Sequence, residues 1–176
     1  PAFTPKYVAW LEMGGVLAVA NIRGGGEFGK AWHNAGRLDT KQNVFDDFLY
    51  ASKFLEDNSI GNRKSTVISG RSNGGLLVGT TLIQNPNYFG AALPAVGVMD
   101  MIRFTEFTEG WGWRGDYGYP ILDQTDFHRN LKISPYHQTK IDVCYSPTLT
   151  TTARRDDRVV PSHSYKFTAR LQEYQA

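Results

Sequence analysis

Residues 67–77 read VISGRSNGGLL. Glycines stand two positions before and two positions after Ser72, at Gly70 and Gly74. A serine on a tight turn between a strand and a helix can serve as a nucleophile. Small residues on either side let neighbouring backbone pass close and leave the hydroxyl exposed at the sheet edge. The helix that follows aims its N-terminus at the same spot, so the backbone N–H of Asn73 is placed to bind a developing oxyanion. The competing reading is a glycine-rich turn with an incidental serine. The apolar strand-like run before the turn and the apolar helix-like run after it favour the nucleophile.

A serine nucleophile needs a base, and the base needs a group that orients it. In α/β-hydrolases the chain order is serine, then an acid, then histidine. TTTARRDDRVVP (150–161) supplies an acid after a strand-like run: Asp156 lies 84 residues beyond Ser72, followed by Asp157 and Arg158. Without Ser72 this stretch reads as a solvated charged turn. The four histidines fit poorly. His33, His128 and His137 precede the acid, and His163 follows it by only seven residues. The base is therefore expected outside these 176 residues, with His163 the weaker candidate.

The elements that must position these groups follow from apolar patterning. GGVLAVAN (14–21) predicts a buried strand and RGGGEFG (23–29) a loop. Val44, Phe48, Ala51 and Leu55 recur at helical spacing and predict a helix over 39–57. Strands are predicted over 65–70, 90–98 and 146–153, and helices over 75–86 and 164–174. The aromatic stretch 103–140 reads as loop-rich. Alternation of strand and helix implies an α/β domain: a mostly parallel sheet with helices on both faces. The whole of residues 1–176 reads as one partial domain.

Two other motifs carry competing readings. The glycines of RGGGEFG give neither G-x-G-x-x-G nor a Walker loop, so a shaped rim loop is preferred to a phosphate cradle. Asp46 and Asp47 are adjacent on a helix and point about 100° apart. They cannot converge on one ion and are expected to form a solvated edge or to cap nearby loops.

Bulk composition excludes several classes. The chain is 41% hydrophobic and 20% charged, with a net charge of +2. That balance argues against a nucleic-acid or membrane partner. Cys144 is the single cysteine, which rules out an intrachain disulfide and leans toward a reducing compartment. The chain starts at Pro1 and stops inside a helix-like RLQEYQA. It is expected to be a fragment with exposed apolar surface.

GGVLAVANIRGGGEFG, KQNVFDDF, GRSNGGLLVG, FGAALPAVGVMDM and DDRVVPSHSYKF together resemble the catalytic domain of the prolyl oligopeptidase family. The resemblance runs almost end to end. It implies an α/β-hydrolase fold and a serine-type endopeptidase that cleaves short peptides on the carboxyl side of proline through an acyl-enzyme. Ser72 would be the nucleophile, Asp156 the triad acid and Asn73 the oxyanion donor. Arg158 would bind a substrate carbonyl. GWGWRGDYG (110–118) resembles the segment that builds the proline pocket, with Trp113 and Tyr117 against the ring and Val98 and Val159 as further wall. By spacing alone, Trp111, Trp113, Tyr117 and Tyr119 read as core or loop-packing aromatics. No metal or organic cofactor is implied. The family's N-terminal β-propeller, a tyrosine for the second half of the oxyanion hole, and the catalytic histidine are expected in parts of the protein outside this stretch. The expected location is cytoplasmic, with a periplasmic one open.

Three alternatives stand beside this. An oligopeptidase B-like enzyme would cleave after Arg or Lys. Asn73 and GVMDM count against it, while Glu106 and Glu109 near the pocket segment keep it open. A carboxylesterase would turn over esters without preferring proline. A non-catalytic fragment would do neither.

Overall fold

Gly70, Gly75 and Gly97 let two strands and a helix approach more closely than side chains would permit. The computed structural model describes residues 4–176. Strand β1 (Val67–Arg71) pairs in parallel with β2 (Ala91–Ala95), in register from Val67 opposite Ala91 to Arg71 opposite Ala95. A third segment runs parallel to β2 on its other side. It is joined by Leu149 N–H to Ala92 O (3.0 Å), Thr151 N–H to Pro94 O (3.1 Å) and Val96 N–H to Thr151 O (2.8 Å). The run predicted over 146–153 thus lies along the sheet, but it makes isolated bridges rather than a continuous strand. Pro147 has no N–H to give to the ladder.

The helices in chain order are α1 (Pro5–Glu12), α2 (Lys30–Asn34), α3 (Gln42–Asp57), α4 (Asn73–Gln84), α5 (Arg114–Tyr117), α6 (Gln124–Ile133), α7 (Pro135–Gln138) and α8 (Ser162–Tyr174). The predicted helices over 39–57, 75–86 and 164–174 appear as α3, α4 and α8. α3 turns its stripe slightly from the predicted one and buries Val44, Phe45 and Ser52. α4 carries Val78, Leu82 and Ile83 into a core with Ile68, Phe89, Ala92, Met99 and, from α8, Phe167 and Leu171. β1 is buried at Ile68 and exposed at Val67, Ser69 and Arg71. Among the described residues, the helices therefore cover one side of it.

The predicted strand over 14–21 is not formed. Val16 is 62% and Val19 58% exposed, and the segment is irregular. A strand is held by a neighbour's backbone groups, and no described segment runs beside this one. The 103–140 stretch holds more helix than predicted. α6 is capped by Asp123, whose carboxylate accepts from Asp126 N–H at 2.8 Å.

Asp47 resolves the paired-carboxylate question. It accepts from the backbone N–H of Arg23 (3.0 Å) and from its guanidinium, tying the glycine-rich loop to α3. The hydrogen bonds from Arg23 hold the Asp47 carboxyl below its ordinary range. Asp46 accepts instead from Gln42 Nε2.

A buried polar network joins α8 to the loop after β2. Asp100 N–H donates to His163 Nδ1 (3.1 Å), and the Asp100 carboxylate pairs with Lys166. Ser134 Oγ donates to Met99 O (3.2 Å) and lies 2.8 Å from His137 Nδ1. His163 is 1% exposed, and burial drives its pKa down to about 4, against the pull of Asp100. Between about pH 6.5 and 4 the unfolded chain therefore takes up a proton that native His163 does not. Stability should fall as pH drops through that window, by about 3 kcal/mol from this group. Urea unfolding at pH 7 and pH 4.5 checks this. His163→Gln should lose much of the slope, leaving the part due to His137, whose pKa burial also lowers.

Candidate active site

Ser72 occupies the step from β1 into α4 with φ 59° and ψ −117°. That backbone region is sparsely populated for any residue with a Cβ and costs about 1–3 kcal/mol. The surroundings hold it there. Ser72 N–H donates to Ala95 O (2.9 Å), and Ser72 O accepts from the N–H groups of Gly75 (2.8 Å) and Leu76 (3.1 Å). A Cβ on Gly70 would lie 2.1 Å from Gly74 O, and one on Gly75 would lie 2.6 Å from Gly97 Cα. A Cβ on Gly74 would meet nothing within 4 Å. The close approach is thus made by Gly70 and Gly75. Gly74 contributes its backbone to the contact with Gly70.

Asn73 is the first residue of α4, so its N–H has no acceptor within the helix. It points from the positive end of the helix, where a developing negative charge is favoured. The Asn73 side chain is fixed separately: Oδ1 accepts from the Tyr117 hydroxyl at 2.7 Å.

Tyr117 is buried at the end of α5. It belongs to one apolar cluster with Phe45, Leu76, Val98, Met101, Phe104, Ile133 and Val159, against which Trp113 packs. The Trp113 ring lies parallel to Phe104, with centroids 6.4 Å apart, and Tyr117 meets Phe104 edge-on at 5.6 Å. The four apolar residues singled out from sequence, Val98, Trp113, Tyr117 and Val159, therefore share one cluster. Val98, Tyr117 and Val159 are buried in it, while Trp113 is half-buried at its margin.

Asp156 sits five residues after Thr151, the last bridge of the third sheet segment. All three parallel segments thus send their C-terminal ends toward one edge, where α/β sheets place their ligands. Asp156 Oδ1 accepts from the N–H groups of Arg158 (3.1 Å) and Val159 (2.8 Å). The same carboxylate's Oδ2 has no hydrogen-bond partner among the described residues. Val159 links this loop to the apolar cluster, and Thr108 Oγ1 donates to Asp157 O, binding the loop to the aromatic stretch 103–140. The Arg158 side chain is exposed. No direct contact joins Ser72 to Asp156.

None of the four histidines completes a triad here. His163 is buried and accepts the Asp100 N–H. His137 faces Ser134, which is itself fully buried and donates to a backbone carbonyl. His33 lies 3.7 Å from Asp116 and 2.8 Å from Gly24 O. Glu106 pairs with Arg103 at the surface rather than facing the apolar cluster. Sequence reading missed Lys41, buried beside Tyr117. Its polar neighbours in TKQN gave no signal of burial.

Comparison with known proteins agrees across sequence and structure. The prolyl oligopeptidase family model matches residues 1–176. A prolyl endopeptidase of Elizabethkingia miricola is 48% identical over 176 residues, covering 100% of this chain and 25% of that protein. A dual function macrocyclase-peptidase of Amanita bisporigera is 45% identical over 174 residues, covering 98% of this chain and 24% of that protein. The chain thus spans about a quarter of the length of these relatives. A solved prolyl endopeptidase superposes with TM-score 0.94 at 50% identity, covering 100% of this chain and 26% of its own. Prolyl oligopeptidase B from Galerina marginata superposes with TM-score 0.94 at 43% identity, covering 99% of this chain and 25% of its own. A match over the whole chain, on a serine turn of this geometry, means that the chain belongs to the prolyl oligopeptidase family of serine peptidases and has the α/β-hydrolase fold of its catalytic domain.

Proposed function

We propose that this chain is the serine- and aspartate-bearing part of an endopeptidase that cleaves short peptides on the carboxyl side of proline. The observation that carries the reading is the strained turn at Ser72, held between β1 and α4 by close glycine contacts. Strain of this kind persists where it has a use.

In the proposed reaction Ser72 Oγ attacks the scissile carbonyl, and a histidine from elsewhere in the gene product takes its proton. The tetrahedral oxyanion is stabilised by Asn73 N–H. The histidine then protonates the leaving amine, and water hydrolyses the acyl-enzyme by the reverse sequence. Asp156 orients the histidine through Oδ2, its unengaged oxygen. Trp113, Tyr117, Val98 and Val159 form the wall for the proline ring, which is apolar and lacks an N–H, and so is best met by ring faces without charge. That apolar wall favours proline over Arg or Lys at the cleavage site. Arg158, exposed beside Asp156, would bind a substrate carbonyl. A β-propeller elsewhere in the same protein would restrict access to short peptides. The exposed free thiol of Cys144 suits a cytoplasmic location.

Single-turnover labelling by a fluorophosphonate tests this, with Ser72→Ala as control, on the 176-residue chain and on the full gene product. Serine-dependent labelling of the full product alone, with turnover of a proline-containing peptide, is the expected result. Equal labelling of the 176-residue chain would overturn the external base. Turnover after Arg or Lys instead of proline would overturn the pocket assignment.

A further inference from the structure

Beneath the pocket wall sits a buried cation that the reaction above does not use. Lys41, the residue before α3, is 4% exposed, and its ammonium lies 5.1 Å from the centre of the Tyr117 ring. It makes no ion pair and no side-chain hydrogen bond among the described residues. The nearby Asp116 instead lies 3.7 Å from His33. Taking an ammonium out of water without a close carboxylate is costly. The face of an aromatic ring offsets part of that cost. Burial lowers the Lys41 pKa to about 8, and Asp116 partly restores it.

The ring that carries this charge is connected. The Tyr117 hydroxyl donates to Asn73 Oδ1, and Asn73 follows Ser72 directly. A cation on the ring face draws π-electron density toward itself, which makes the O–H more polar and a better donor. Burial raises the phenol pKa, so the proton that makes this bond is retained. The residues just before Tyr117 are held as well. Arg37 donates to Gly115 O and His33 faces Asp116, so residues 33–41 hold positions 115, 116 and 117 in turn.

We propose that Lys41 is a positioning residue: through the Tyr117 hydroxyl it fixes the Asn73 turn, and with it the N–H aimed at the oxyanion. The catalytic consequence rests on the peptidase reading above, whereas the positional one does not. A packing role alone would stabilise α3 and leave Asn73 indifferent to the charge.

The test uses the full gene product with Lys41→Met, Tyr117→Phe and the double variant. Rates are expressed per active site, counted by fluorophosphonate titration, so unfolded molecules do not enter. Loss of one oxyanion donor costs about 10²–10³ in kcat, so a misdirected donor should cost about tenfold. Each single variant should lose that factor in kcat with KM changed less than twofold, because the contact acts in the transition state. The double variant should be no slower than either single, because both break one line of contacts. The side-chain amide cross-peak of Asn73 in a 15N spectrum should move in both singles. Multiplying losses in the double variant, a loss confined to active-site titre, or an unmoved Asn73 cross-peak in Lys41→Met would each overturn the proposal. If wild-type Ser72 takes no label, the peptidase reading fails, and the cross-peak still decides whether Lys41 holds the turn.

Discussion

Asp156→Asn is expected to lower kcat of the full gene product about 10⁴-fold while leaving the fold intact. The geometry separates the two effects. Oδ1 of Asp156 is held by the N–H groups of Arg158 and Val159, and an asparagine carbonyl can accept both bonds. The loop and its Val159 contact with the apolar cluster therefore survive. The other position changes from an acceptor to an NH2 donor. A histidine meeting that donor is stabilised in the tautomer that cannot take the Ser72 proton. Peptide turnover at equal titrated enzyme, together with an unchanged urea midpoint, checks both halves. A kcat within tenfold of wild type would remove Asp156 from the triad.

Gly70→Ala is expected to destabilise the protein by about 3 kcal/mol or more and to abolish labelling at Ser72. The new methyl would lie 2.1 Å from Gly74 O, a backbone atom in the first turn of α4 that cannot swing away. Either β1 or α4 must move, and Ser72 lies between them. Gly74→Ala is the matching control. Its methyl meets nothing within 4 Å, and alanine is favoured over glycine in a helix by about 0.5–1 kcal/mol. Urea unfolding of the two variants should therefore shift in opposite directions. Equal losses would mean that the close approach at Gly70 is not what constrains the turn.

The contrast between Gly70 and Gly74 marks how far the sequence could be read. The serine turn was legible because its signals are local: apolar run, glycine, serine, glycine, apolar run. Which glycine bears the contact was not, because the contact depends on how β1 meets α4 in space. α3, α4 and α8 were legible from their apolar spacing. α6 was not, because its QTDFHRNLKI is polar overall; its one signal was Asp123 three residues before Asp126. The run 14–21 has every compositional mark of a strand, yet composition does not supply a neighbour's ladder. Lys41 was invisible because burial of a lysine is decided by distant chain, here Tyr117, 76 residues on.

That distance also bears on how the protein comes into being. The serine turn is built from β1, α4, β2 and Gly97, all within residues 67–97. Residues 110–118 are joined to earlier chain by Arg37 to Gly115, across 78 residues, and α6 is joined by Arg129 to Asp39, across 90. Contacts so far apart close long loops and form slowly, after local ones. In refolding, the turn at Ser72 is therefore expected to form ahead of the attachment of residues 110–118 to the rest of the chain. If these two parts act as proposed, the group that reacts is set by local folding and the group that selects by long-range folding.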